Sequence, residues 1–106
     1  MGLLDVFKKS DIDTETEMFR KTPGVVLIDV RNAEEYAKGH IPGSINIAEK
    51  DIAKVENIID DHSTQILVYC LSGAKSWSAE KKLKEMGYKN ARSIGGIKDY
   101  TGPVEK

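Results

Sequence analysis

A chain of 106 residues is the size of one folding unit, and 40% hydrophobic residues are enough for a core without disulfide or metal staples. Sixteen Lys and Arg against 17 Asp and Glu leave a formal net charge of −1, which argues against a phosphate-neutralising basic face and hence against nucleic acid as a partner. The longest apolar runs, Gly24 to Ile28 and Ile66 to Leu71, fall far short of the roughly 20 residues that span a bilayer, so no membrane association is expected.

Met1 to Ser10 fit no sheet position and read as a docking helix or a frayed segment of a single domain spanning 1–106. Met1 to Phe7 is too short for a secretory leader, carries Asp5 and runs into Lys8 and Lys9, so the expected location is cytoplasmic. Gly24 to Val30 is a β-branched run between Pro23 and Arg31-Asn32 and predicts a buried strand. Asn32 followed by Glu35 approximates a capping box, so Ala33 to Lys38 is predicted as a short helix stopped by Gly39. His40-Ile41-Pro42-Gly43 is a turn, and Ser44 to Ala48 a short strand. Ile52, Val55, Ile58 and Ile59 recur at helical spacing and predict a second packed helix over Asp51 to Asp60.

Gln65 to Cys70 is the second clear buried strand, ending in the small residues Leu71-Ser72-Gly73. Ala74 to Met86 predicts a helix with Ser76, Ala79, Leu83 and Met86 as its inner stripe and Gly87 as its stop. Lys81, Lys82 and Lys84 belong to its solvated face. Ala91 to Ile94 predicts a strand broken by Gly95-Gly96, and Ile97 to Tyr100 a last helical turn. Alternating strands and helices call for an α/β fold, a small parallel sheet flanked by helices on both faces.

One cysteine excludes an internal disulfide framework, and His40 and His62 form no zinc-like spacing with it, so neither metal nor cofactor is expected. Ligand sites of open parallel sheets lie beyond the carboxyl ends of the strands, and Cys70 falls at such an end. The residues that follow, Leu71, Ser72, Gly73, Ala74 and Lys75, are mostly small. Successive backbone N–H groups there can turn inward around an anion, and the next helix adds its positive pole. Both effects favour thiolate over thiol, so Cys70 is predicted to ionise below the free value of about 8.5. Lys75 could attract an anionic substrate or sit exposed on the first helical turn. Ser72 and Ser76 could bond an anion or the sulfur, or cap the helix; for Ser76, on the inner stripe, capping and packing are favoured. Trp77 is expected to pack. No histidine or carboxylate adjoins Cys70 in sequence, His40 reads as a structural turn residue and His62 as loop, so a protease-like Cys-His pair is disfavoured. Sulfur transfer to a preformed thiolate needs no such base.

Asp29-Val30-Arg31, Glu34-Glu35-Tyr36, Gly39 to Ile47, Val68-Tyr69-Cys70 with its glycine loop, Gly95-Gly96-Ile97 and Thr101 to Val104 occur in an order that resembles the rhodanese family, from about residue 12 to the end. The resemblance implies a rhodanese-like fold in which Cys70 carries sulfane sulfur as a persulfide and Leu71 to Lys75 form its cradle. It implies a small anionic donor such as thiosulfate, and an external acceptor: cyanide, a small thiol or a partner protein's cysteine. Asp29, Arg31, Glu35 and His40 match motif positions that look structural, an acid and the arginine pairing to hold the loop layer. Lys75 departs from the family, many of whose members have arginine there; lysine keeps the charge and loses the bidentate fork. Two other readings compete. Dual-specificity phosphatases resemble this fold but use a longer loop with arginine six positions after the cysteine, where this chain has Ser76. A non-catalytic docking module is the other, and the intact Cys70 loop argues against it. Redox sensing lacks a resolving cysteine.

Overall fold

The computed structural model describes residues 11–106, so the expectation for Met1 to Ser10 lies outside the described residues. The elements in chain order are helix α1 (Asp11–Lys21), strand β1 (Val26–Asp29), helix α2 (Ala33–Lys38), strand β2 (Ile45–Asn46), a 3-10 segment (Glu49–Asn57), strand β3 (Ile66–Cys70), helix α3 (Ala74–Glu85), strand β4 (Ala91–Gly96) and a 3-10 turn (Ile97–Asp99). The strands form one sheet in the order β2-β1-β3-β4, every pairing parallel. Among the described residues, no helix is long and apolar enough to cross a membrane.

Side chains alternate across β3, which is buried along its whole length. Ile66, Val68 and Cys70 face a cluster with Ala79 and Leu83 of α3 and with Ile52 and Val55 of the 3-10 segment. Leu67 and Tyr69 face the opposite cluster, where Ile12 of α1 and Ile41 pack. Helical elements thus cover both faces, as the alternation of predicted strands and helices requires. Cys70 is the last inward residue of a central strand, on the face that α3 covers.

Three elements depart from expectation. Helix α1 occupies a stretch for which the sequence pattern predicts no element. Its signal is Ile12, Thr16 and Phe19 at helical spacing, diluted by acidic residues; Ile12, Asp13 and Thr16 are buried. The Asp13 carboxylate is used internally, accepting the amide and hydroxyl of Thr101, each at 2.8 Å. The helix expected over Asp51 to Asp60 is a 3-10 segment whose exit is α-like, Ile59 N–H bonding the Val55 carbonyl at 2.8 Å. That wider turn swings Ile59 into the core and leaves Ile58 55% exposed. Finally, Gly95-Gly96 do not break β4, which runs to Gly96 through a register shift.

The predicted capping box is present. Glu35 N–H donates to Asn32 Oδ1 at 2.8 Å, and Asn32 N–H to Glu35 Oε1 at 3.3 Å. Asp29 and Arg31 form a buried fork: Arg31 Nη2 lies 2.7 Å from Asp29 Oδ2 and also donates to the Gly39 carbonyl at 2.7 Å. One guanidinium therefore ties the end of β1 to the end of α2.

Candidate active site

Cys70 closes β3 with only 2% of its surface exposed. Three residues separate it from the first residue of α3, and Gly73 turns the chain there with φ +109°, a region that other residues adopt with strain. The first amides of a helix have no intrahelical acceptor and need an outside one. Gly73 is the N-cap and offers no side chain; the cysteine sulfur takes that place. Sγ accepts from Gly73 N–H at 2.9 Å and from Ser76 N–H at 3.4 Å. The Ser76 hydroxyl lies 3.6 Å from Sγ. Sulfur therefore sits on the axis end where the helix dipole is positive.

Burial acts on this thiol most strongly and pushes its ionisation up. The hydroxyl and amide of Ser76 and the amides of Gly73 and Lys75 act together in the opposite sense and prevail, so Cys70 titrates below its ordinary value. The surroundings thus favour the thiolate more than water does, although the side chain is almost wholly buried.

The expected cradle is only partly in contact with the sulfur. Gly73 touches Sγ through its amide, and the Lys75 amide contributes to holding the charge. Leu71 is 51% exposed and turns its carbonyl to Lys98 N–H at 3.1 Å. Ser72, Ala74 and the Lys75 side chain lie at the surface. Ser76, for which capping and packing were favoured over a bond to the sulfur, is fully buried and meets Sγ with both amide and hydroxyl. Its place on the inner stripe, in the first turn of α3, is the signal. Ser93 lies beside it, its hydroxyl 2.7 Å from that of Ser76. No sequence signal marks Ser93, because only the pairing of β3 with β4 brings it there.

Trp77 does not pack as expected. It is 60% exposed and has Lys81 Nζ 4.9 Å from its ring centroid. It borders a cleft of about 460 Å³ beside the loop, shared with Gly73, Glu80, Ser93, Gly95 and Asp99. The histidines are engaged elsewhere. His40 is buried, its Nδ1 2.9 Å from the Tyr36 carbonyl and its ring stacked on Tyr36. His62 stacks on Tyr88 and lies 3.1 Å from Glu56.

A family model of the rhodanese-like domain matches residues 14–102. The chain belongs to the rhodanese-like family. Among its relatives is the thiosulfate sulfurtransferase PspE of Escherichia coli, 38% identical over 80 residues that make up 74% of this chain and 77% of PspE. The thiosulfate:glutathione sulfurtransferase of Saccharomyces cerevisiae is 35% identical over 86 residues, 70% of this chain and 62% of that protein. A solved rhodanese with anions from Escherichia coli superposes with a TM-score of 0.72 at 36% identity, over 77% of this chain and 98% of that one. In this rhodanese-like chain, the small parallel sheet with its flanking helices is therefore family architecture.

Proposed function

We propose that this protein is a sulfurtransferase that carries sulfane sulfur on Cys70. One observation carries the reading: a buried sulfur accepts two amides at the head of a helix, in a chain 38% identical to a thiosulfate sulfurtransferase. The Cys70 thiolate attacks the sulfane sulfur of an anionic donor such as thiosulfate. The donor's S–S bond breaks, sulfite leaves with the electron pair, and Cys70 holds a persulfide. An external nucleophile then attacks the outer sulfur, the persulfide S–S bond breaks, and the thiolate is restored. Neither step removes a proton, so the absence of a general base from the Cys70 neighbourhood in the sequence suits the route.

Leu71, Ser72, Gly73, Ala74 and Lys75 form the cradle for the outer sulfur, the amides supplying hydrogen bonds and Lys75 a point attraction for the donor. The acceptor is cyanide, a small thiol or a partner protein's cysteine, because the described chain holds no second cysteine to resolve the persulfide. A cytoplasmic setting, where thiols stay reduced, suits a carrier of this kind. Intact-mass measurement after thiosulfate treatment tests the reading. One added sulfur atom, absent in Cys70→Ser and discharged by cyanide, is the expected result. An unmodified mass, or turnover of an aryl phosphate in place of thiosulfate, overturns it.

A further inference from the structure

Strand β4 pairs with β3 from Ala91 opposite Ile66 to Ser93 opposite Val68, then gains one residue, so that Gly96 comes to lie opposite Cys70. Gly95 absorbs the bulge at φ +107°, and Gly96 returns to extended geometry at φ −125° and ψ 145°. At that register Gly96 lies against the first peptide of the Cys70 loop. A Cβ on Gly96 would come within 2.6 Å of both the carbonyl carbon of Leu71 and the Cα of Ser72. These are backbone atoms and cannot swing aside as a side chain can. The Leu71 carbonyl is held where it is by Lys98 N–H, from the turn that follows β4.

We propose that Gly96 is a positioning residue for the sulfur cradle. With no Cβ between β4 and the Leu71-Ser72 peptide, Lys98 N–H captures the Leu71 carbonyl, and the amides that follow turn toward Cys70 Sγ. The loop between Cys70 and α3 is three residues long, so a displaced Leu71-Ser72 peptide displaces the Ser72-Gly73 peptide that follows it. The Leu71 carbonyl oxygen would overlap the Cβ more closely than the two carbons at 2.6 Å, so relieving the overlap toward ordinary contact moves the peptide by at least about 1 Å. The Gly73 amide, next along the loop, is carried away from its 2.9 Å contact with sulfur by a shift of that size. The role rests on the sulfurtransferase reading for its purpose, but it can be tested on the thiol alone.

The test is the pH dependence of Cys70 alkylation by iodoacetamide in the full chain carrying Gly96→Ala. The midpoint is expected to rise by about one pH unit, with about a tenfold loss of thiosulfate-to-cyanide turnover at neutral pH. Val55→Ala, a buried truncation in the 3-10 segment, is the control: it lowers Tm and keeps the wild-type midpoint. A wild-type midpoint in Gly96→Ala overturns the proposal. If Gly96→Ala does not fold, hydrogen exchange of the wild type decides. The Lys98 amide is expected to be protected by the Leu71 carbonyl, and free exchange overturns the role of Gly96. A shifted midpoint in a protein that transfers no sulfur leaves the placement standing and rejects the activity, so the two failures are distinct.

Discussion

The hydroxyls of Ser76 and Ser93 lie 2.7 Å apart, linking the first turn of α3 to β4 directly behind the Cys70 sulfur. Ser76 carries one hydroxyl hydrogen and four neighbours within reach: Sγ at 3.6 Å, the Gly73 carbonyl at 3.0 Å, Ser93 Oγ and the Gly95 carbonyl at 3.3 Å. With the thiol protonated, S–H donates to Ser76 and Ser76 donates to Gly73. In the thiolate, Ser76 donates to sulfur while Ser93 donates to Ser76 and takes the Gly95 amide at 3.3 Å. Each bond in such a chain polarises the next.

Removing that donor is therefore expected to cost the thiolate. Ser76→Ala raises the titration midpoint of Cys70 by about one pH unit, the size of a hydrogen bond to a charged group. Ser93→Ala moves it the same way by less, since it acts through Ser76. Thiolate absorbance in the near ultraviolet, followed against pH, reads both variants. An unmoved midpoint in Ser76→Ala removes the hydroxyl from the site's electrostatics.

Linkage makes the same charge visible in stability. The folded state holds Cys70 below its ordinary value, so its contribution is fully present above the unfolded thiol value of about 8.5 and is lost as pH falls through the lower folded value. The Tm difference between wild type and Cys70→Ser should accordingly widen in favour of the wild type as pH rises from about 6 to 9. Thermal melts in the presence of reductant measure it. A difference that narrows over this window contradicts a stabilised thiolate.

Lys75 separates attraction from chemistry. Its side chain is exposed on the first turn of α3, one residue before Ser76. Lys75→Ala is expected to raise KM for thiosulfate more than it lowers kcat, because a point attraction acts in the ground state as well as the transition state. Lys75→Arg should hold or lower KM, the planar fork adding geometry to charge. Steady-state rates at two ionic strengths check this, and a KM indifferent to all three residues places the ammonium outside the donor's path.

Two ion pairs of different burial give a contrast in stability. Asp29 and Arg31 are almost wholly enclosed, so Asp29→Asn strands a buried guanidinium and is expected to lower stability by about 3 kcal/mol. The pair between Arg92 and Glu15 is partly solvated, and Glu15→Gln should cost less than about 1 kcal/mol. Urea unfolding of the two variants decides; equal losses contradict the structural role given to the fork.

Much of this was legible without coordinates because the signals are local. The run from Ile66 to Cys70, the glycine at position 73 and the capping pair of Asn32 and Glu35 are each written within a few residues, and the elements form where the pattern puts them. Helix α1 escaped because its apolar face is thin and is completed by Thr16, whose hydroxyl bonds the Asp13 carbonyl, and by Asp13, whose carboxylate is met by Thr101 far along the chain. Trp77 was misjudged for the reverse reason: an aromatic on a helix packs only if something covers that face, and here the face borders a cleft.

By itself, the sequence determined the strand order of chemistry: an apolar strand, a lone cysteine at its end, small residues, then a helix whose unbonded amides need an acceptor. Nearest-neighbour sterics and periodicity suffice for that. Only the tertiary structure decided which groups surround the sulfur. Ser93, Gly96 and Lys98 reach the loop because β4 pairs with β3 through a one-residue bulge, and a register across strands is set by packing of the whole sheet, which no local run of residues encodes.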